Sequence, residues 1–116
     1  MITKQQVKIF LREFKEKIKI WDILFLDGRK ENSQTLADLE LMPVERKKVL
    51  EKLELENYCQ GPLEENQFGG SEMWVFGKRL KGKEIYIKIT LGRENKSAIC
   101  ISFHIAEFPM KYHQFK

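Results

Sequence analysis

The chain is short of the residues that most often announce a chemistry. Its two cysteines, Cys59 and Cys100, share no metal-ligand or redox spacing, which fits a cytosolic protein with both thiols reduced. No apolar run approaches the roughly 20 residues of a membrane span, and the longest, residues 20–26, is interrupted by Asp22. The opening MITKQQVKIF lacks the apolar core and small-residue cleavage site of a signal peptide. Internal repeats and low-complexity tracts are also missing. What is present describes an ordinary globule: 116 residues, 42% hydrophobic and 33% charged, enough for one domain spanning residues 1–116. A chain of this size buries roughly two-thirds of its unfolded surface and needs no disulfide or metal to fold.

The formal net charge of +4 is unevenly placed. Residues 78–96 carry seven basic side chains (Lys78, Arg79, Lys81, Lys83, Lys88, Arg93, Lys96) against two acids, Glu84 and Glu94. The rest of the chain is close to neutral. A local positive field attracts anions, polyanions most of all. Lysines along a sheet edge that discourage edge-to-edge pairing would give the same pattern.

Three stretches alternate at a period of two, the mark of half-buried strands. EIYIKITL (residues 84–91) sets Ile85, Ile87, Ile89 and Leu91 against Glu84, Tyr86, Lys88 and Thr90. AICISFH (residues 98–104) sets Ile99, Ile101 and Phe103 against Ala98, Cys100, Ser102 and His104. MWVFGKRL (residues 73–80) precedes them through Lys81 and Gly82, a tight hairpin signal. Together they predict a three-stranded antiparallel meander with one apolar and one polar face.

Upstream, Thr3 and Gln6 form a capping box for a helix over residues 4–16, with Val7, Phe10, Phe14 and Ile18 on one stripe. Residues 17–26 read as a strand, closed by a turn at Asp27 and Gly28. After a charged loop over residues 29–32, Ser33 is expected to cap a short helix bearing Leu36 and Leu39. Pro43 opens another that presents Val49, Leu50 and Leu53, with Arg46 and its neighbours on a solvated face. Residues 58–71, rich in glycine, have no usable period and read as a binding loop, a lid or disorder.

The hairpin register expected from the Lys81–Gly82 turn pairs Arg79 with Glu84, Gly77 with Tyr86 and Val75 with Lys88. The parity of the last strand then sets Ser102 near Lys88 and His104 near Tyr86. One open surface thus gathers a phenol, an imidazole, an ammonium and a guanidinium. That set suits metal-free phosphodiester cleavage. A base must take a ribose 2′-hydroxyl proton, cations must hold the charge on the phosphorane, and the departing 5′-oxygen needs a proton. Imidazole is the side-chain group whose ordinary pKa lies nearest neutrality, and His104 supplies it. Tyr86 serves as base only if neighbouring cations depress its phenol. No carboxylate cluster has the spacing of a Mg²⁺ nuclease. A chance set of polar residues on a solvated sheet face is the plain alternative, and His113 reads as a tail residue.

The stretch WVFGKRLKGKEIYIKITL, followed by AICISFH, resembles the carboxy-terminal half of the motility quorum-sensing regulator (MqsR) toxin family, and the helices before Tyr58 match it in order. The resemblance implies an α+β, RelE-like fold, a helical layer on a curved antiparallel sheet. It further implies a ribosome-independent endoribonuclease, an mRNA interferase of a type II toxin–antitoxin system. Single-stranded mRNA would be the substrate, and a cognate antitoxin, with a helix-turn-helix DNA-binding region, the inhibitor. The family's catalytic tyrosine falls on Tyr86, its arginine at or beside Arg79, and its tyrosine ending the helical layer on Tyr58. The chain departs from the family at Cys59 and His104, which stand where lysines are expected, and at a first-strand glutamine that Gln67 lies too early to supply. The candidate catalytic set is therefore Tyr86, His104, Lys88 and Arg79. Lys78, Lys81, Lys83 and Tyr58 are the candidate RNA contacts, with Phe68 and Tyr112 as further surfaces on which bases could stack. No cofactor is implied. A non-catalytic RNA- or protein-binding module, or an inactivated toxin homologue, is the rival reading.

Overall fold

A computed structural model describes every residue except Glu65 and Lys116. Its elements are α1 (Lys4–Trp21), β1 (Ile23–Phe25), α2 (Lys30–Asp38), α3 (Pro43–Glu51), a single 3₁₀ turn (Leu55–Asn57), β2 (Tyr58–Leu63), β3 (Met73–Leu80), β4 (Lys83–Thr90) and β5 (Ala98–Ile105). Three helices pack against an open five-stranded sheet of order β1-β5-β4-β3-β2, an α+β architecture. The meander has its expected antiparallel order, but β1 runs parallel to β5, so the sheet is mixed.

Helix α1 starts where the capping box places it: the Gln6 amide donates to Thr3 Oγ1 and the Thr3 amide to Gln6 Oε1. Its stripe of Val7, Phe10, Leu11, Phe14 and Ile18 is buried against Trp74, Phe76 and the β4 isoleucines. Phe10 stacks on Trp74 with ring centroids 4.7 Å apart, an arrangement that adds roughly 0.5–1.5 kcal/mol beyond area burial.

Several expected boundaries move. Residues 17–21 continue α1 rather than forming a strand, because Ile18 lies one turn after Phe14 on the same stripe. Only Ile23–Phe25 of that stretch is extended. The loop expected over residues 29–32 is the first turn of α2. Ser33 lies inside the helix, where its hydroxyl donates to the Lys30 carbonyl, so it caps nothing. Arg46 is not solvated. Its guanidinium is buried, stacks 3.9 Å from the Phe25 ring centroid and makes a forked contact with the Asp27 carboxylate. The aperiodic stretch begins with β2, which pairs irregularly with β3 from Tyr58↔Phe76 to Leu63↔Met73.

The β3–β4 register is the expected one, from Met73↔Thr90 to Leu80↔Lys83. Lys81 (φ 49°) and Gly82 (φ 80°) both take positive φ, as a twisted two-residue hairpin turn requires. Between β4 and β5 the register holds for Tyr86↔His104 and Lys88↔Ser102, then jumps to Ile89↔Cys100. Ile101 is the extra residue of a β-bulge. Beyond it the parity of β5 is opposite to the one expected: Ala98 and Cys100 enter the core, and Ile99 is displaced from it. Cys100 is therefore a buried thiol and not part of the polar wall.

At the bulge β5 also changes its outer neighbour. Residues 98–100 pair with β1, whereas past Ile101 the side chains of α2 take over. Asn32 donates to the carbonyls of Leu26 and Ile101, each at 3.0 Å, and accepts from the Phe103 amide at 3.0 Å. Thr35 Oγ1 accepts from the Ile105 amide. Two polar side chains thus satisfy the strand edge that β1 is too short to cover.

Candidate active site

The sheet face away from α1 carries Tyr86 and Lys88 from β4 beside His104 and Ser102 from β5. The Tyr86 and His104 rings stack with centroids 5.2 Å apart and planes inclined by 15°. Lys88 Nζ lies 5.8 Å from the Tyr86 ring centroid, within cation–π range. Here the expected register and the observed site coincide.

The wall is not an open plane. Residues 106–113 fold back across it as a strap. Glu84 anchors them: its carbonyl accepts from the Ala106 amide (2.9 Å), Oε1 from the Met110 amide (2.8 Å) and Oε2 from the Tyr112 hydroxyl (3.0 Å). The Tyr112 ring lies on Gly77, where a Cβ would fall 2.6 Å from its hydroxyl oxygen, so any larger residue there must push the ring away. His113 closes the strap through its amide to the Tyr58 carbonyl, 3.1 Å, and is thus not a loose tail residue. Between strap and wall runs a cleft of about 630 Å³, lined by Tyr86, Lys88, Ser102 and His104 together with Arg29, Glu31, Gln60 and the strap.

Electrostatics assign roles inside the cleft. Burial raises the Tyr86 phenol above its ordinary pKa, and the nearby Cys59 thiol adds to the rise. The neighbouring cations do not depress it, so the condition under which Tyr86 would serve as base is not met. Tyr86 is a donor at neutral pH. Burial, then the Arg29 charge, lowers the Lys88 ammonium. Arg29 reaches the same spot, its Nη1 3.4 Å from Ser102 Oγ. His104 Nδ1 lies 3.0 Å from the Ile105 carbonyl. A carbonyl only accepts, so Nδ1 carries the hydrogen and Nε2 of the neutral ring keeps the free lone pair. Burial also raises the half-buried Cys59 thiol, to about 11, which leaves no thiolate to act as nucleophile.

The other sequence candidates are placed elsewhere. Arg79 shares the parity of the wall but sits at the hairpin end, where Nη1 donates to the Gly82 carbonyl; it lines a separate depression. Arg29 takes the place in the cleft that Arg79 was expected to hold. Lys78 and Lys83 have the parity of the helix-side face, opposite Ile85 and Leu80. Lys81 Nζ donates to the Leu39 and Glu40 carbonyls at the end of α2. Tyr58, 2% exposed, lies among Trp74, Phe76, His113 and Phe115 and cannot stack on a base. No periodic signal marked Arg29, which a turn and a parallel strand pairing carry to β5. The strap had only the aromatic tail to announce it.

Among the described residues no three His, Cys, Asp or Glu side chains converge on a possible metal position. No helix among them is long and apolar enough to cross a membrane. No protein-family model, curated protein or solved structure matches the chain. The likeness to the toxin family therefore rests on the residues quoted above.

Proposed function

We propose that the chain is a metal-independent endoribonuclease acting on unpaired RNA, an mRNA interferase toxin of the kind its strand motifs resemble. The observation that supports this most is the stacked Tyr86–His104 pair, with Lys88 and Arg29 beside it, in a cleft wide enough for a splayed nucleotide. His104 Nε2 takes the ribose 2′-hydroxyl proton as that oxygen attacks the phosphorus. Lys88 and Arg29 hold the negative charge of the phosphorane. The protonated Tyr86 phenol donates to the departing 5′-oxygen. The P–O5′ bond breaks, giving a 2′,3′-cyclic phosphate and a 5′-hydroxyl. Arg79, Lys78 and Lys83 lie too far from this centre for chemistry and serve at most to hold flanking RNA. The reading carries with it a cytoplasmic location and a cognate antitoxin, encoded beside this chain, that suppresses its growth arrest.

The test is cleavage of a fluorescent single-stranded RNA in excess EDTA, with the product ends identified. His104→Ala is expected to lose about 10²–10⁴-fold in rate, and Tyr86→Phe less, because water can replace a proton donor. Full activity in both variants rejects the site. RNA binding with no cleavage of any sequence gives the answer to the rival reading, a binding module.

A further inference from the structure

Large apolar side chains exposed among the described residues number seven; three of them (Ile20, Trp21 and Leu24) lie in or just before β1, and two (Met42 and Val44) stand at the start of α3. Ile20 and Trp21 end α1 immediately before the strand. Met42 caps α3 and Val44 lies in its first turn; from the same helix Lys47 reaches Asp22, 3.0 Å, and Arg46 reaches Asp27, at the two ends of β1. Leu24, 52% exposed, points to the opposite face, into a depression shared with Ile99, Phe68, Arg93 and Lys96. The strand edge thus begins at an exposed Trp21 and turns an exposed Leu24 to the face away from α1, and this corner is separate from the cleft.

The edge is partly free. β1 is last in the sheet order, with no strand outside it among the described residues. Its outward Ile23 amide donates to Asp22 Oδ1, and its Phe25 carbonyl accepts from the Asp27 amide. The Asp22 carbonyl and the Leu26 amide bond to β5, so by alternation the Ile23 carbonyl and the Phe25 amide turn outward. An outward acceptor and donor flanking one residue form the rung on which an added strand pairs. Neither Arg93 nor Lys96 joins a salt bridge among the described residues. A second copy of this chain on the same edge would bring like charges together.

We propose that β1 is the docking edge for an extended, acidic segment of a partner protein, which adds a sixth strand along Ile23–Phe25. Its apolar side chains cover Trp21 and Leu24, and its carboxylates meet Arg93 and Lys96. Two backbone bonds alone are weak, so the flanking side chains supply most of the affinity and all of the charge preference.

The probe is a short synthetic peptide alternating glutamate and valine, titrated into the ¹⁵N-labelled full chain. Saturable shifts are expected at Leu24, Phe25 and the amides of residues 97–99, with none for a lysine–valine peptide. Leu24→Glu, at an exposed position that folding tolerates, weakens binding at least about tenfold, as does Arg93→Glu with Lys96→Glu. Absence of saturable shifts overturns the proposal, as does equal binding of the lysine peptide or indifference to Leu24→Glu. A dimer in sedimentation that Leu24→Glu dissolves also overturns it, making the occupant a second copy. His104→Ala leaves peptide binding intact and Leu24→Glu leaves RNA cleavage intact, so the two readings fail separately.

Discussion

Adding one methyl group at Gly77 is expected to detach the strap from the wall. An ideal Cβ there falls 2.6, 2.9 and 3.0 Å from three atoms of Tyr112. Relaxed contacts sit at roughly 3.5–4.0 Å, so the ring must retreat by about 1 Å. A retreat of that size breaks the 3.0 Å bond from Tyr112 to Glu84. A hydrogen bond to a carboxylate near the surface contributes about 1 kcal/mol, and Gly77→Ala should lose about that much. In a Tyr112→Ala background the new methyl meets empty space. There the same substitution should be neutral, or stabilising by roughly 0.5–1 kcal/mol, because alanine costs less backbone entropy than glycine in a strand. Urea unfolding of the wild type, both single variants and the double variant closes the cycle, with a coupling of about 1–2 kcal/mol expected. Equal costs in the two backgrounds would show that the Tyr112 ring does not rest on Gly77, and the account of the cleft's second wall would fail with it.

Asn32→Ala removes two donors and an acceptor that serve buried backbone at the bulge, and should cost about 3 kcal/mol in urea unfolding; less than about 1 kcal/mol would mean that water replaces the side chain. Asp27→Ala leaves the buried Arg46 guanidinium with no carboxylate, only the Phe25 ring and the Pro43 carbonyl. It should therefore destabilise more than Arg46→Ala, which leaves behind a half-exposed carboxylate. The Glu84 carboxyl is held below its ordinary pKa, first by the Met110 amide. Its hold on the strap is complete above the usual carboxylate range and is lost as pH falls through the lowered value. Strap amide signals should accordingly shift in acid below that range, and not in Glu84→Gln. The Tyr112 hydroxyl, pushed up to about 12 chiefly by burial and then by Glu84, should still be protonated when an exposed tyrosine has ionised, as ultraviolet titration of Tyr112→Phe against the wild type can show.

The parts of this molecule that local pattern controls were legible. The capping box, the α1 stripe and the β3–β4 register each follow from residues a few positions apart. So does the facing of Tyr86 and His104, since it needs only Ile87 and Phe103 turned to the core on neighbouring strands. The rest depends on partners distant in sequence. Residues 17–21 alternate like a strand and also continue a helical stripe, and packing on the sheet decides for the helix. The parallel placement of β1, which delivers Arg29 to the cleft, leaves no local trace. The strap was invisible because its anchors, Glu84 and Gly77, read as an ordinary strand acid and a weak spot in β3. Tyr58, an apparent base-stacking surface, is consumed by the aromatic core beneath that same strap.

The single surplus residue in β5 has an unusual genetic consequence. Removing Ile101 would leave Ala98 and Cys100 pointing inward and Ser102 and His104 pointing outward, since plain alternation then runs through the join. Inserting a residue at the same place also restores alternation, but it slides residues 98–100 two places along β4, so that Cys100 leaves Ile89 and the pairing with β1 is lost. The strand should thus accept a codon lost at this point far better than a codon gained, and the damage from the loss would be confined to the bend and to the carbonyl that Asn32 holds.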